Sequence, residues 1–409
     1  MRIPKGVLVQ KYGGSSLSDA ENIKNAAVRI GKTFDDGYRL VVVCSAMGET
    51  TDQLLRLAMS VTPDREPREL DLLLSSGEII SSTLVAMALR ARGYPAISLT
   101  GLQAGIRTDG LHGNARIASV DTTRILSEIN SGNIAIVAGF QGFTDNFDVT
   151  TLGRGGSDTS AVALAGALSA ERCEVYTDVD GIFTADPKIV ADARRIDEIT
   201  YEEMLELAAY GVKMHPRSIE LGSLYNIPIR ISSSFSDQIG TLVHGGIRAM
   251  EFGIKVTGVA YDRNVAKITL RRLPDRPGVA ALLFERLSAE GISVDTIVQN
   301  TSVDRYTDIS FTVARDESDR AMETVRSVAG ELDVHDLVAD STLCKISIVG
   351  SGMLNAPGYA SSMFRALADA DINIDMITTS EIRITCIVSE LKVEEGVRIL
   401  HKTFGLGSP

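Results

Sequence analysis

Residues 7–34, VLVQKYGGSSLSDAENIKNAAVRIGKTF, pass from a strand into a helix across a pair of glycines. Val7, Leu8 and Val9 form a short apolar run, and Gln10, Lys11 and then Gly13-Gly14 end it. Ile23, Ala27, Ile30 and Phe34 follow at helical spacing, opened by Ser18 and Glu21 in the pattern of a capping box. The same alternation continues downstream. Strand-like runs at 40–44, 96–99, 134–138, 173–177 and 229–232 join the first one at 7–10, with helical patterns between several of them. Continuous rather than alternating apolar strands predict a sheet covered on both faces by helices. Residues 1–245 therefore read as one α/β layer sandwich with a mainly parallel sheet.

The remainder repeats itself. Lys267-Ile268-Thr269-Leu270 matches Lys345-Ile346-Ser347-Ile348, and Pro277-Gly278 matches Pro357-Gly358. Phe284, Leu287, Ile292, Val294, Asp295 and Ile297 find Phe364, Leu367, Ile372, Ile374, Asp375 and Ile377. Each copy reads strand, Pro-Gly loop, helix, strand and further strand, a duplicated unit of roughly 70 residues. The expected bounds are 257–335 and 343–409, with residues 241–256 as connector.

The composition narrows the function. A chain of 409 residues, 44% hydrophobic, can fill two or three cores and is no disordered chain. Fifty-three acidic against 41 basic residues leave a net charge of −12, which disfavours nucleic acid as the main ligand. An anionic substrate must then meet a local cluster of cations and backbone N–H groups. The run Val7-Leu8-Val9 is too short for a signal-peptide core, and no unbroken apolar run reaches the roughly 20 residues of a membrane span. Cys44, Cys173, Cys344 and Cys386 lie far apart without a CxxC pair, as buried reduced thiols of a cytoplasmic protein would, and no metal site is expected among them.

Chemistry concentrates in two glycine loops. Lys11-Tyr12-Gly13-Gly14-Ser15-Ser16 sits between strand and helix, where close backbone approach and N–H groups suit an anion. The spacing matches neither GxxxxGK[ST] nor GxGxxG, and alone this loop is more often an ordinary turn. Gly153-Arg154-Gly155-Gly156-Ser157-Asp158-Thr159 opens a second helix, through Val162, Ala165 and Leu168, and the two loops together suggest two anions held face to face. Thr177-Asp178-Val179-Asp180-Gly181 leaves a strand end, where open α/β sheets bind ligands, or else merely turns the chain.

With these motifs in view, the chain resembles the bacterial aspartate kinases, within the amino-acid kinase superfamily. The resemblance rests on the first loop at 11–16, VVVCSAMGETT (41–51), LDLLLSSGE (70–78), SLTGLQAGI (98–106), HGNARI (112–117) and AGFQG (138–142). It continues through TTLGRGGSDT (150–159), TDVDGIFTADP (177–187), EEMLELA (202–208), KMHPRS (213–218) and residues 232–242, and so spans essentially the whole chain. It implies a carbamate kinase-like layer sandwich followed by two ACT domains of ferredoxin-like βαββαβ type, with strand exchange between them admitted. The implied reaction moves the γ-phosphoryl of MgATP to the β-carboxylate of L-aspartate, a step toward lysine, threonine and methionine. Mg²⁺ would be held through ATP.

The resemblance also implies site roles. Lys11 and Lys213 meet the phosphates, and Asp158 organises the lysines. Gly13, Gly14, Ser15, Thr177, Asp178, Phe183 and Asp186 hold the nucleotide. Ser45, Thr50, Thr51, Glu78, Arg154, Gly155, Gly156 and Ser157 hold aspartate, with Arg154 on a carboxylate and Glu78 on the ammonium. A carboxylate acceptor with a reference pKa of about 4 needs no general base, which suits loops rich in lysine and glycine. In the tail, lysine and/or threonine would bind where ACT units of two chains meet. One half-site would be Asp275, Gly278, Ala280, Gln299 and Asn300, and the facing half Asn373, Ile374, Thr379 and Glu381. Relatives often carry histidine at the place of Ala356, which bears on effector identity. The implied assembly is a homo-oligomer through the ACT domains, or an α2β2 form with a short subunit starting near Met250. The alternatives are another small acid as acceptor and a non-catalytic amino-acid sensor.

Overall fold

A computed structural model describes residues 5–64, 66–208, 214–246, 256–300, 305–334, 336–353 and 357–407. The chain divides into two compact units: Met1–Phe183 with Arg195–Glu251, and Thr184–Arg194 with Phe252–Pro409.

In the first unit the strands run β1 (Val7–Tyr12), β2 (Arg39–Cys44), β3 (Ala96–Leu99), β4 (Ile106–Thr108), β5 (Ile117–Val120) and β6 (Ile134–Ala138). Then come β7 (Gln141–Phe143), β8 (Val149–Thr151), β9 (Arg172–Thr177), β10 (Glu198–Thr200), β11 (Ile229–Ser233) and β12 (Thr241–His244). Eight of them form one sheet in the order β10-β12-β11-β9-β1-β2-β6-β3, parallel at every pairing except β11–β12. The remaining four make a small sheet, β5-β4-β7-β8. Every residue of β6 is buried, as its unbroken apolar character predicts, and so is every residue of β1, which continues past its apolar run through Gln10 and Lys11 to Tyr12. Thr241–His244 is thus a strand of the main sheet and no connector.

Among the described residues, seven α-helices cover this framework: α1 (Ala20–Asp35), α2 (Thr50–Val61), α3 (Pro67–Ala91), α4 (Thr123–Asn130), α5 (Gly156–Ala167), α6 (Tyr201–Ala208) and α7 (Pro216–Tyr225). Ile23, Ala27 and Ile30 of α1 and Val85 and Leu89 of α3 pack with Leu8, Leu40, Val42, Ile134 and Ile136 of the sheet. Helix α1 departs from the expected capping box. Its N-cap is Asp19, whose Oδ1 accepts from the N–H groups of Glu21 and Asn22 at 2.9 Å, while Ser18 donates to the other carboxylate oxygen. A carboxylate satisfies two first-turn donors and meets the positive end of the helix dipole, so it displaces the hydroxyl. Helix α3 is long and apolar enough, by length and composition, to cross a bilayer, yet it packs against β3, β6 and β8 and carries Asp71 and Glu78 into the core.

The second unit contains β13 (Gly258–Asp262), β14 (Ala266–Pro274), α8 (Val279–Ala289), β15 (Ile297–Asn300), β16 (Tyr306–Val313), α9 (Ser318–Leu332) and β17 (Asp336–Asp340). It continues with β18 (Leu343–Val349), α10 (Tyr359–Asp369), β19 (Met376–Thr379), β20 (Arg383–Ser389) and α11 (Val393–Thr403). Two four-stranded sheets result, β15-β16-β14-β17 and β13-β18-β20-β19. Among the described residues the second copy has no closing strand of its own, and β13, from before the first copy, fills that edge antiparallel to β18. The boundaries read from sequence shift accordingly: β13 leaves the first copy, and β17 closes it. Arg315 of the first copy pairs with Glu390 of the second at 2.9 Å, and two further ion pairs join the copies reciprocally, Lys267 to Asp375 at 2.9 Å and the buried Lys345 to Asp295. The two reciprocal pairs use the paired positions of the internal repeat.

Candidate active site

The parallel strands β1, β2, β6, β9 and β11 end at one edge of the main sheet, the edge where such sheets bind ligands. Lys11 lies near the end of β1, buried, with Nζ 2.6 Å from Oδ1 of the buried Asp158 in the first turn of α5. The two glycine loops are thereby joined. Ser45, just past β2, is 2.7 Å from the Ser157 hydroxyl, and the next residue, Ala46, donates its N–H to Glu78 Oε1 at 3.1 Å. Gly14 allows the first loop to approach: a Cβ there would lie 2.9 Å from the Ala46 carbonyl. Gly155 caps α5 at φ +69, a left-handed conformation that a side chain disfavours, and a Cβ there would fall 2.3 Å from His215 Cβ. The Gly156 N–H at the start of α5 donates to the Gly153 carbonyl at 2.9 Å, while those of Ser157 and Asp158 have no carbonyl partner within the helix, a setting for an anion.

Glu78 is 3% exposed, and its Oε2 has no hydrogen-bond partner among the described residues. Burial pushes its carboxyl up to about 8, against the opposing pull of the Ala46 N–H. A buried, half-satisfied carboxyl is poised to receive a cation. Thr50 opens α2 and donates to the Met47 carbonyl at 2.6 Å, with Thr51 beside it in the same turn. Arg154 is exposed in the loop between β8 and α5 and makes no hydrogen bond or ion pair with the described residues.

At the end of β9, the Thr177 hydroxyl donates to Asp178 Oδ1 at 3.0 Å, and the Thr177 carbonyl accepts from Ser234 N–H at 2.8 Å. Asp180 accepts from the Ser236 hydroxyl, and Phe183 bridges to Arg195. Asp186 lies further along the chain, in the second unit, where its Oδ2 accepts from the Tyr261 hydroxyl at 3.0 Å and its Oδ1 from the Lys188 N–H at 2.9 Å. Lys213, Met250 and Ala356 lie outside the described residues.

One residue without an assigned role turns out to organise the site. Asp71, 1% exposed on α3, accepts from His112 Nδ1 at 2.9 Å, from the N–H groups of Gly113 and Thr151 at 3.0 Å, and from the Thr151 hydroxyl. It ties the residue 111–115 loop and β8 to the helix that carries Glu78. The signal lay in its spacing: Asp71 precedes Glu78 by two helical turns, on the same face of an otherwise apolar helix.

In the tail, β14 and β15 bring Pro274 opposite Tyr306 and Asn300 opposite Asp308, so the Asp275–Ala280 segment and Gln299-Asn300 share one end of a sheet. Of the facing set, Asn373 and Ile374 precede β19, Thr379 ends it and Glu381 lies just past it.

Residues 6–233 match the model of the Amino acid kinase family, and residues 271–328 and 346–404 match that of an ACT domain. The Aspartokinase of Mycolicibacterium smegmatis is 50% identical over 407 residues, covering 98% of this chain and 96% of that one. The chain belongs to the aspartokinase family. Among solved structures, E. coli aspartokinase III with aspartate and ADP (R-state) is 26% identical at a TM-score of 0.82, covering 97% of this chain and 99% of that one. The same enzyme with lysine and aspartate (T-state) gives 27% and 0.76 over the same shares. The amino-acid kinase fold followed by ACT domains, expected from the sequence, is the fold of this family member, and members are ATP-dependent kinases acting on a carboxyl of aspartate.

Proposed function

We propose that this aspartokinase works by clamping two anions without removing a proton. The observation that carries this reading is one connected group: Lys11 ion-paired to Asp158 between the two glycine loops, beside the buried Glu78 with an oxygen to spare. The β-carboxylate of aspartate is ionised at neutral pH and attacks the γ-phosphorus directly. What the site must supply is position and charge stabilisation for the transferring phosphoryl group. Lys11 provides the cation, and Asp158 holds its ammonium in place and takes no proton. Lys213 provides a second phosphate contact. Gly13, Gly14 and Ser15 approach the phosphates, and Thr177, Asp178 and Phe183 the nucleoside.

Glu78 receives the substrate ammonium, and Arg154 forks onto a carboxylate, with Ser45, Thr50, Thr51 and the Gly155-Gly156-Ser157 backbone closing the pocket. Mg²⁺ takes its ligands mainly from phosphate oxygens and water. That role suits a small, hard cation that keeps several waters and is bound largely through substrate phosphates. Feedback by lysine and/or threonine through the ACT domains, with assembly of two or more chains, completes the reading. The lysine complex of the E. coli relative supports it.

A coupled ADP-release assay with purified full-length protein tests the acceptor. Aspartate supports turnover, and glutamate at equal concentration does so at least about 10²-fold less efficiently. Equal efficiency with glutamate would move the protein to the other small-acid reading, and no ADP release with either would leave the sensor.

A further inference from the structure

Arg217 stands at the start of α7, two residues past His215, and its guanidinium spans two loops. Nη1 donates to the Leu152 carbonyl at 2.6 Å and to Asn114 Oδ1 at 3.3 Å, and Nη2 donates to the Ala115 carbonyl at 2.9 Å. Leu152 is the last residue before the glycine loop, two positions ahead of Arg154. Asn114 and Ala115 lie in the neighbouring loop, which Asp71 holds from the other side through Gly113 and His112. The contacts continue on both flanks of Arg154. Gly153, at φ +76, sits so close that a Cβ would meet Asn114 Oδ1 at 2.8 Å, and His215, which accepts from the Arg217 N–H, presses on Gly155.

Arg154 itself has no hydrogen bond or ion pair with the described residues to hold it. Its direction is therefore set by the backbone on either side, a stretch with two left-handed glycines and much freedom when untethered. We propose that Arg217 is a positioning residue for Arg154: its planar fork pins the carbonyl ahead of the glycine loop to the adjacent loop, and so fixes where the substrate-facing guanidinium stands. This rests on the reading of Arg154 as the group that meets a carboxylate of aspartate, and deepens it. The fork matters because two carbonyls on different loops must be met at once, which a lysine ammonium on a flexible stem does poorly. Loss of the fork lets the loop carbonyls turn toward water, and a displacement of about 1 Å at a substrate-orienting group costs on the order of 10²-fold.

The test uses the full-length enzyme and initial rates of ADP release in four variants: Arg217→Met, Arg217→Lys, Arg154→Ala and the Arg154→Ala/Arg217→Met double. Arg217→Met is expected to raise the aspartate KM about tenfold or more while the ATP KM stays within about twofold, and Arg217→Lys to fall between it and the parent. In the Arg154→Ala background, the same change is expected to add less than about threefold. A merely structural role would reduce folded enzyme, and with it apparent kcat, and leave the aspartate KM alone. That result overturns the proposal, and so does a KM increase of equal size with and without Arg154. Should Arg217→Met not fold, an unchanged aspartate KM in Arg217→Lys overturns it. An Arg154→Ala enzyme with an unmoved aspartate KM refutes the reading of Arg154 itself and takes the inference with it. A normal Arg154→Ala defect beside a silent Arg217→Met removes only the inference.

Discussion

Glu78 makes the binding of aspartate depend on pH in a calculable way. With its carboxyl raised to about 8 by burial, the free enzyme at pH 7 holds it protonated by about ten to one. An incoming ammonium requires the ionised form. The aspartate KM is therefore expected to fall about tenfold from pH 6 to 7, about fivefold more to pH 8, and less than about twofold beyond. Binding at pH 7 should release about 0.9 proton, read by calorimetry in buffers of different ionisation enthalpy. Stability carries the same signature with the opposite sense. The folded pKa lies above the ordinary value of 4.5, so the folded state binds the extra proton, and stability is lost as pH rises from 4.5 through about 8, at about 1.4 kcal/mol per unit. Glu78→Gln should abolish the KM slope, raise the KM at pH 8 by roughly 10–100-fold, and remove this part of the pH dependence of melting. An aspartate KM that stays level between pH 6 and 8, with binding heats indifferent to buffer, refutes the reasoning.

Other perturbations probe the remaining parts. Lys11→Ala should lower kcat about 10²–10³-fold in the ADP-release assay while the size-exclusion profile stays that of the parent, since Lys11 acts at the phosphates and not in assembly. Gly155→Ala meets both a left-handed φ of +69 and a contact with His215, and should cost more than about 2 kcal/mol by urea denaturation. Gly110→Ala, where a Cβ meets nothing within 4 Å, should stay within about 0.5 kcal/mol of the parent. In the second unit, Asp295→Asn should lower the melting temperature more than Lys345→Met. The first strands the buried ammonium of Lys345 without its partner, whereas the second removes the charge that needs one.

How much of this was legible without coordinates differs from element to element. The runs at 96–99 and 134–138 became strands with the same bounds, because a short, predominantly apolar run of four or five residues has few other outcomes in a two-sided α/β core. The glycine loops, Lys11, Asp158 and Glu78 were visible as motifs. That Lys11 and Asp158 touch was not, since 147 positions separate them and only the pairing of β1 with β9 and the packing of α5 on β1 bring them together. Asp186 is a similar case: its motif was visible, but its bond to the Tyr261 hydroxyl, 75 positions away, was not.

Local pattern thus determined the elements, the duplication of the tail and the chemical character of each loop, because period, turn chemistry and charge are properties of neighbouring residues. Closure of the second tail sheet by β13, the reciprocal lysine–aspartate pairs, and the meeting of Asp71 and Arg217 around the loop of Arg154 were decided by tertiary structure. Each is a contact between segments far apart in the chain, and the bonding capacity of a strand edge, a carboxylate or a guanidinium does not specify which distant partner will satisfy it.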